Sequence, residues 1–225
     1  MVENLDNIDI VQLVISWILK GILGASLIIA FLEQNWFLVF FAALSLIVCN
    51  LPILIEKRGT VFLPIEFELV ITWFVFASLL LGEGFNFYCR FWWWDLMLHT
   101  TSGILLGFVG FLIVYTISHM KNVNLSPVFV AIFTFCFAMA LGSLWEIYEF
   151  VMDSLLGTNM QHHSLVDTMT DLIVNAIGGI VTAFIGYFYV RGGDSLLFSR
   201  LIRKFIAANP KLVAKSFSKI QTKGN

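Results

Sequence analysis

The residues that could carry chemistry are concentrated in one stretch of the chain, residues 142–175. Two segments that are otherwise apolar enough to cross a bilayer hold or flank them. An ionisable side chain at membrane depth is costly unless it is paired, hydrated or bound to an ion. So many of them together therefore indicate a site. These side chains are Glu146, Glu149, Asp153, His162, His163, Asp167 and Asp171, followed by Asn175.

The spacing of these residues predicts that they converge. Asp95 and His99 are four residues apart in an earlier apolar segment, so they share one helix face. The acidic residues of 146–153 and of 167–175 also recur at helical spacing. At a rise of about 1.5 Å per residue, we expect His99, Asp171 and Glu146 at depths of roughly 8, 10 and 15 Å. They could meet in one cavity that opens on the extracytoplasmic side.

Clustered carboxylates repel one another, so either some of them hold a proton or a cation lies among them. Asp, Glu, His and Asn are ligands of magnesium, manganese, iron or zinc. The cofactor that this donor set predicts is a divalent metal ion. Its candidate ligands are His99, Glu146, Glu149, Asp153, Asp167, Asp171 and Asn175. Candidate catalytic residues are Asp95, His99 and Glu146, because an Asp–His pair can act as an oriented general base. The same groups could also relay protons, bind a transported cation or lock helices together.

The composition places the chain among membrane proteins. Hydrophobic residues make up 59% of the 225 and charged residues 12%, against about half and a quarter in soluble domains. We predict an all-α membrane protein with six transmembrane helices in one bundle over residues 1–190, and a basic amphipathic tail over 191–225. The net charge of −2 gives no indication of nucleic-acid binding. The six predicted spans are about 10–31, 36–55, 64–81, 92–118, 126–156 and 164–190.

The distribution of Lys and Arg predicts the orientation. Lys57, Arg58 and Lys121 lie in alternate loops, and eight further basic residues follow within 191–223, all on one side. Arg90 is alone on the other side. By the positive-inside rule both termini are cytoplasmic, in the cytoplasmic (inner) membrane. The N-terminus lacks a basic n-region, so we expect the first span to be retained. The tail is expected to lie on the inner leaflet and to contact anionic lipid.

Three motifs in order resemble the YjdF-like family of bacterial inner membrane proteins over residues 60–190. The motifs are Asp95-x-x-x-His99-x-x-x-Gly103, Trp145-Glu146-Ile147-Tyr148-Glu149 and Asp167-x-x-x-Asp171-Leu172-x-x-Asn175-x-x-Gly178-Gly179. This resemblance implies an inner-membrane location and no established activity. A more distant similarity is to VanZ-like membrane proteins, which carry a glutamine where this chain has Glu149. That similarity implies a role in the cell envelope.

Three classes of function remain open at this point. The first is a metal-dependent site that acts on a lipid or a cell-envelope precursor. The second is a cation- or proton-coupled transporter, which needs a polar path to the cytoplasm. The third is a non-catalytic membrane scaffold that docks through its basic tail.

Overall fold

The computed structural model describes residues 7–57, 64–121, 123–161, 164–192 and 196–209. All regular secondary structure in these ranges is helical, as predicted. The helices are α1 (Asn7–Leu32), α2 (Trp36–Lys57), α3 (Ile65–Val75), α4 (Phe87–Arg90), α5 (Trp94–Lys121), α6 (Pro127–Leu156), α7 (Leu165–Val190) and α8 (Leu196–Ala208). A π-helix, Phe76–Gly84, continues α3.

Five described segments are long and apolar enough to cross a membrane. They are Asn7–Leu32, Ile65–Gly84, Trp94–Ser118, Pro127–Leu155 and Leu165–Val190. The apolar part of α2 among the described residues, Trp36–Leu51, is shorter than the ~20 residues that a span needs. The chain therefore has five candidate spans, and a sixth at α2 stays a prediction.

The chain divides into two compact units. Unit 1 comprises Met1–Trp94 with Ala207–Asn209, and unit 2 comprises Asp95–Ile206 with Pro210–Asn225. In unit 1 the apolar core includes Leu23, Cys49 and Leu80. One domain over 1–190 with a separate tail stays a prediction.

A buried ion pair joins α1 to α3 inside unit 1. Lys20, which interrupts the first predicted span, places its Nζ 2.6 Å from Glu68 Oε1. The Ser16 hydroxyl lies 3.5 Å from both Glu68 Oε1 and Thr72 Oγ1. Lys20 thus pairs with a carboxylate inside the protein, and this pairing offsets the cost of a charge within a membrane-spanning helix.

Small residues bring α5, α6 and α7 of unit 2 into close contact. A Cβ on Gly103 would collide with the backbone of Asn175, and one on Gly142 would collide with the Asn175 side-chain amide. A Cβ on Gly178 would collide with the backbone oxygen of Thr100. Membrane helices approach one another this closely only where small residues line the contact.

The two faces of α7 differ, as expected of a helix between protein and lipid. Its buried face carries Asp171, Asn175, Gly178, Gly179, Thr182, Ala183 and Gly186. Its other face exposes more than half of each of Ile173, Ile177, Ile180 and Phe184.

Helix ends in unit 2 are fixed by local chemistry. The Ser126 hydroxyl accepts a hydrogen bond from the Phe129 amide, and Pro127 occupies the first turn of α6. Helix α6 ends at Gly157, whose φ of +66° favours glycine. The Ser164 hydroxyl accepts from the Val166 and Asp167 amides at the start of α7.

The C-terminal helix α8 is only partly exposed. Ser199, Ile202 and Phe205 are buried in the protein. The remainder of the predicted tail, 210–225, lies outside the described residues. Its placement on the inner leaflet stays a prediction.

Candidate metal site

Three helices of unit 2 bring four ionisable side chains together. Asp95 and His99 lie at the start of α5, Glu146 lies on α6, and Asp171 lies in the second turn of α7. The His99 Nε2 atom is 3.4 Å from Asp95 Oδ1, and His99 Nδ1 is 3.7 Å from Glu146 Oε1. The imidazole thus lies between two carboxylates.

One potential ligand atom from each of Asp95, His99 and Asp171 lies within 4.8 Å of the other two. This separation is short enough for all three atoms to reach one ion after small side-chain movements. His99 and Asp95 share a helix face, as their spacing predicts. Asp171 comes from a helix that packs tightly against α5 through Gly103 and Gly178.

The cluster is buried and places three carboxyl groups around one imidazole. Asp171 is 2% exposed, Glu146 4% and His99 8%. Both carboxylate oxygens of Glu146 are buried, and neither has a hydrogen-bond partner among the described residues. Carboxylates held this close together repel one another. A cation among them would offset that repulsion.

Asn175 lies one turn below Asp171 and is fully buried. Its Nδ2 donates to the Ala138 carbonyl oxygen on α6 at 3.3 Å. Its Oδ1 lies 3.5 Å from the Ser102 hydroxyl on α5. Asn175 therefore ties three helices together beneath the cluster, and its role as a metal ligand stays a prediction.

Two other candidate ligands on α6 have hydrogen-bond partners of their own. Glu149, 8% exposed, accepts a hydrogen bond from Trp145 Nε1 at 2.9 Å. Asp153 accepts from the Thr158 hydroxyl at 2.6 Å and from the amides of Met160 and Gln161 at 2.7 and 2.9 Å. Its carboxylate thus organises the loop after α6.

The remaining candidates lie near the start of α7. Asp167 is half-buried in the first turn, one turn before Asp171. His162 and His163 lie outside the described residues. The group of three potential ligands among the described residues does not include Glu149, Asp153, Asp167 or Asn175. Metal ligation by these four stays a prediction.

Gln161 is a residue that the sequence patterns did not single out. Its Nε2 donates to the Glu146 carbonyl oxygen at 3.3 Å and to the Thr168 hydroxyl at 2.9 Å. It lies in an irregular loop, where neither helical spacing nor a motif marks it. Its place next to His162 in the sequence was the only available signal, and it was not specific.

The family comparison covers the whole cluster. A family model described as predicted membrane protein (DUF2238) matches residues 15–192. The chain belongs to the DUF2238 family. This membrane protein is also similar to an uncharacterized protein of Thermotoga maritima, with 29% identity over 136 residues, 60% of this chain and 69% of the relative. No solved structure matches the chain. The resemblance to YjdF-like and VanZ-like proteins is not confirmed by these matches.

Proposed function

We propose that this membrane protein binds a divalent metal ion at Asp95, His99 and Asp171 and uses it to act on a lipid or a cell-envelope precursor. The observation that carries the proposal is the separation of the three ligand atoms, all within 4.8 Å of one another in a buried site. Three protein ligands would leave coordination positions for water and substrate, as in catalytic rather than structural metal sites.

Glu146 supports this assignment from the other side of the imidazole. A metal-bound histidine usually donates its second ring N–H to a carboxylate, which fixes the ring and its tautomer. His99 Nε2 faces Asp95, and His99 Nδ1 faces Glu146. We assign Nε2 to the metal and Nδ1–H to Glu146. A buried carboxylate without another hydrogen bond fits this role.

The donor set also narrows the choice of metal ion. Two carboxylates and one imidazole suit zinc, manganese or iron(II) better than magnesium or calcium, which prefer oxygen ligands alone. Such an ion can activate a bound water. In a hydrolysis at this site the water oxygen would bond to an ester carbon or phosphorus while the bond from that atom to the leaving group broke. The water proton passes through a carboxylate of the cluster to the leaving group.

The position of the cluster suggests the substrate class. Asp95 is the second residue of α5, and Asp171 lies in the second turn of α7. On α6, Trp145 and Tyr148 flank Glu146 and are 47% and 45% exposed. Exposed Trp and Tyr on a membrane helix favour the headgroup region. The exposed aromatic side chains beside the cluster support a lipid with a polar headgroup or linkage as the substrate class.

The topology completes the proposal. Six spans with both termini in the cytoplasm of an inner membrane would place the cluster on the outer side, because the basic residues lie in the opposite loops. Arg200, Arg203 and Lys204 on α8 would then approach anionic lipid of the inner leaflet.

Metal content tests the proposal directly. We expect protein purified in detergent and loaded with Mn²⁺ or Zn²⁺ to retain about one ion per chain in elemental analysis. Asp171→Asn should lower the affinity at least about tenfold. Asp167→Asn makes the same change one turn away on the same helix, outside the three ligands proposed here, and should lower the affinity less. The proposal is wrong if the wild-type protein holds no ion, or if both variants bind as the wild type does.

A further inference from the structure

Residues 157–161, the described part of the chain directly after α6, are held in a defined path. Three hydrogen bonds converge on Asp153, from Thr158, Met160 and Gln161, at 2.6 to 2.9 Å. Hydrogen bonds to a carboxylate are stronger than those between neutral groups. The side chain of Gln161 is therefore presented from a fixed backbone.

From this loop Gln161 reaches two of the three helices that carry the cluster. Its Nε2 lies 3.3 Å from the Glu146 carbonyl oxygen on α6 and 2.9 Å from Thr168 Oγ1 on α7. Thr168 precedes Asp171 by three residues, so the two are neighbours on the helix surface. Gln161 thus contacts the turn of Glu146 and the turn that leads to Asp171.

The chemistry of a side-chain amide suits this link. The NH₂ group has two donors, so it can serve both acceptors at once. The Glu146 carbonyl lies in the interior of α6, where a helical amide already bonds such an oxygen. The second bond is therefore not needed to form the helix, and it adds a constraint between α6 and α7.

We propose that Gln161 is a positioning residue that holds the Glu146 turn of α6 to the Asp171 turn of α7 and sets the separation of the two carboxylates. The expected effect of Gln161 on metal affinity rests on the proposed function. Its expected effect on the packing of the two helix turns is independent of the proposed function. Gln161 itself is not a metal ligand.

Two variants separate this role from general loop stability. Gln161→Met keeps the length of the side chain and removes both donors. Thr158→Val removes one hydrogen bond of the same loop and leaves the link between the helices intact. Each variant would be studied in detergent with Co²⁺ and Mn²⁺ as probes, by titration and by the visible absorption of bound Co²⁺.

We expect Gln161→Met to weaken Co²⁺ binding about tenfold, in the range found for groups that orient metal ligands, and to shift the Co²⁺ absorption bands. Thr158→Val should change the affinity less than about twofold and leave the bands in place. A purely structural glutamine would lower the melting temperature and leave the affinity and bands of the folded protein unchanged. That result would overturn the proposal.

A second measurement needs no metal. Hydrogen exchange of the metal-free protein should be about tenfold faster at residues 165–171 in Gln161→Met. In Thr158→Val the change should be confined to residues 157–161. If the wild-type protein binds neither ion, the metal assignment fails, and exchange still decides on Gln161. Unchanged exchange at 165–171 would overturn the link between the helices.

Discussion

Glu146 offers the sharpest test of how the cluster works. Its Oε1 lies 3.7 Å from His99 Nδ1, which is longer than a hydrogen bond. Charge-assisted N–H to carboxylate bonds are about 2.7–2.9 Å long. A hydrogen bond between the two atoms would need an approach of roughly 1 Å, and a metal ion held at Nε2 would favour that bond by making Nδ1–H a stronger donor. Metal affinity then includes the energy of that new bond.

The size of the effect follows from what each substitution leaves behind. Glu146→Gln keeps an oxygen that can accept from Nδ1–H but removes the charge, so we expect affinity to fall about tenfold, or ~1.4 kcal/mol. Glu146→Leu removes the acceptor, and the loss should approach about 100-fold.

Calorimetric titration of the protein in nanodiscs with Mn²⁺ or Zn²⁺ measures these affinities. The matched control is Glu149→Gln, which makes the same change three residues away on α6, where Trp145 already bonds the carboxylate. The control should stay within about threefold of the wild type. Equal metal affinities for wild type and Glu146→Gln would refute the role of Glu146. A large loss of metal affinity in Glu149→Gln alone would show that the metal binds near Glu149 instead.

Three further predictions follow from the packing of the helices. Lys20→Met should destabilise the protein by about 2–3 kcal/mol in thermal denaturation. This is less than the ~3–5 kcal/mol lost when a fully buried ion pair is broken, because Glu68 is 21% exposed. Adding Glu68→Leu should restore most of the lost stability. Gly103→Ala should cost about 1–3 kcal/mol through its collision with the Asn175 backbone, whereas Gly24→Ala, with nothing within 4 Å, should be neutral or stabilising. Asn175→Ala should cost about 1–3 kcal/mol of stability. It should lower metal affinity less than Asp171→Asn does, and a larger loss of affinity in Asn175→Ala would indicate that Asn175 is a ligand.

The sequence alone predicts the helices and the polar faces well, because both depend on local spacing. Asp95 and His99 had to share a face, and the small residues of α7 had to lie on the face of Asp171. The structure adds a tight contact of Gly103 with the backbone of Asn175. Helical periodicity is informative here because the alternative, a charged group facing lipid, is costly.

The partners of individual side chains could not be predicted in the same way. Asp153 lies on the same stripe as Glu146, yet its carboxylate is used by backbone amides of the following loop. That depends on the path of the loop after Gly157, which spacing does not encode. Likewise, Lys20 pairs with Glu68 across 48 residues, and only the docking of α1 on α3 reveals this.

The packing below the cluster bears on the choice between an enzyme and a transporter. Between Asn175 and Gly186 the only polar side chain of α7 is Thr182. Its hydroxyl donates to the carbonyl oxygens of Ile104 and Gly178. A Cβ on Gly107 would meet Thr182, and one on Gly186 would collide with Phe111. A hydrated path along this face would have to separate helices that are already in contact. Within the described part of unit 2, helix contacts thus close the face of α7 below the cluster, which argues against passage of an ion along that face.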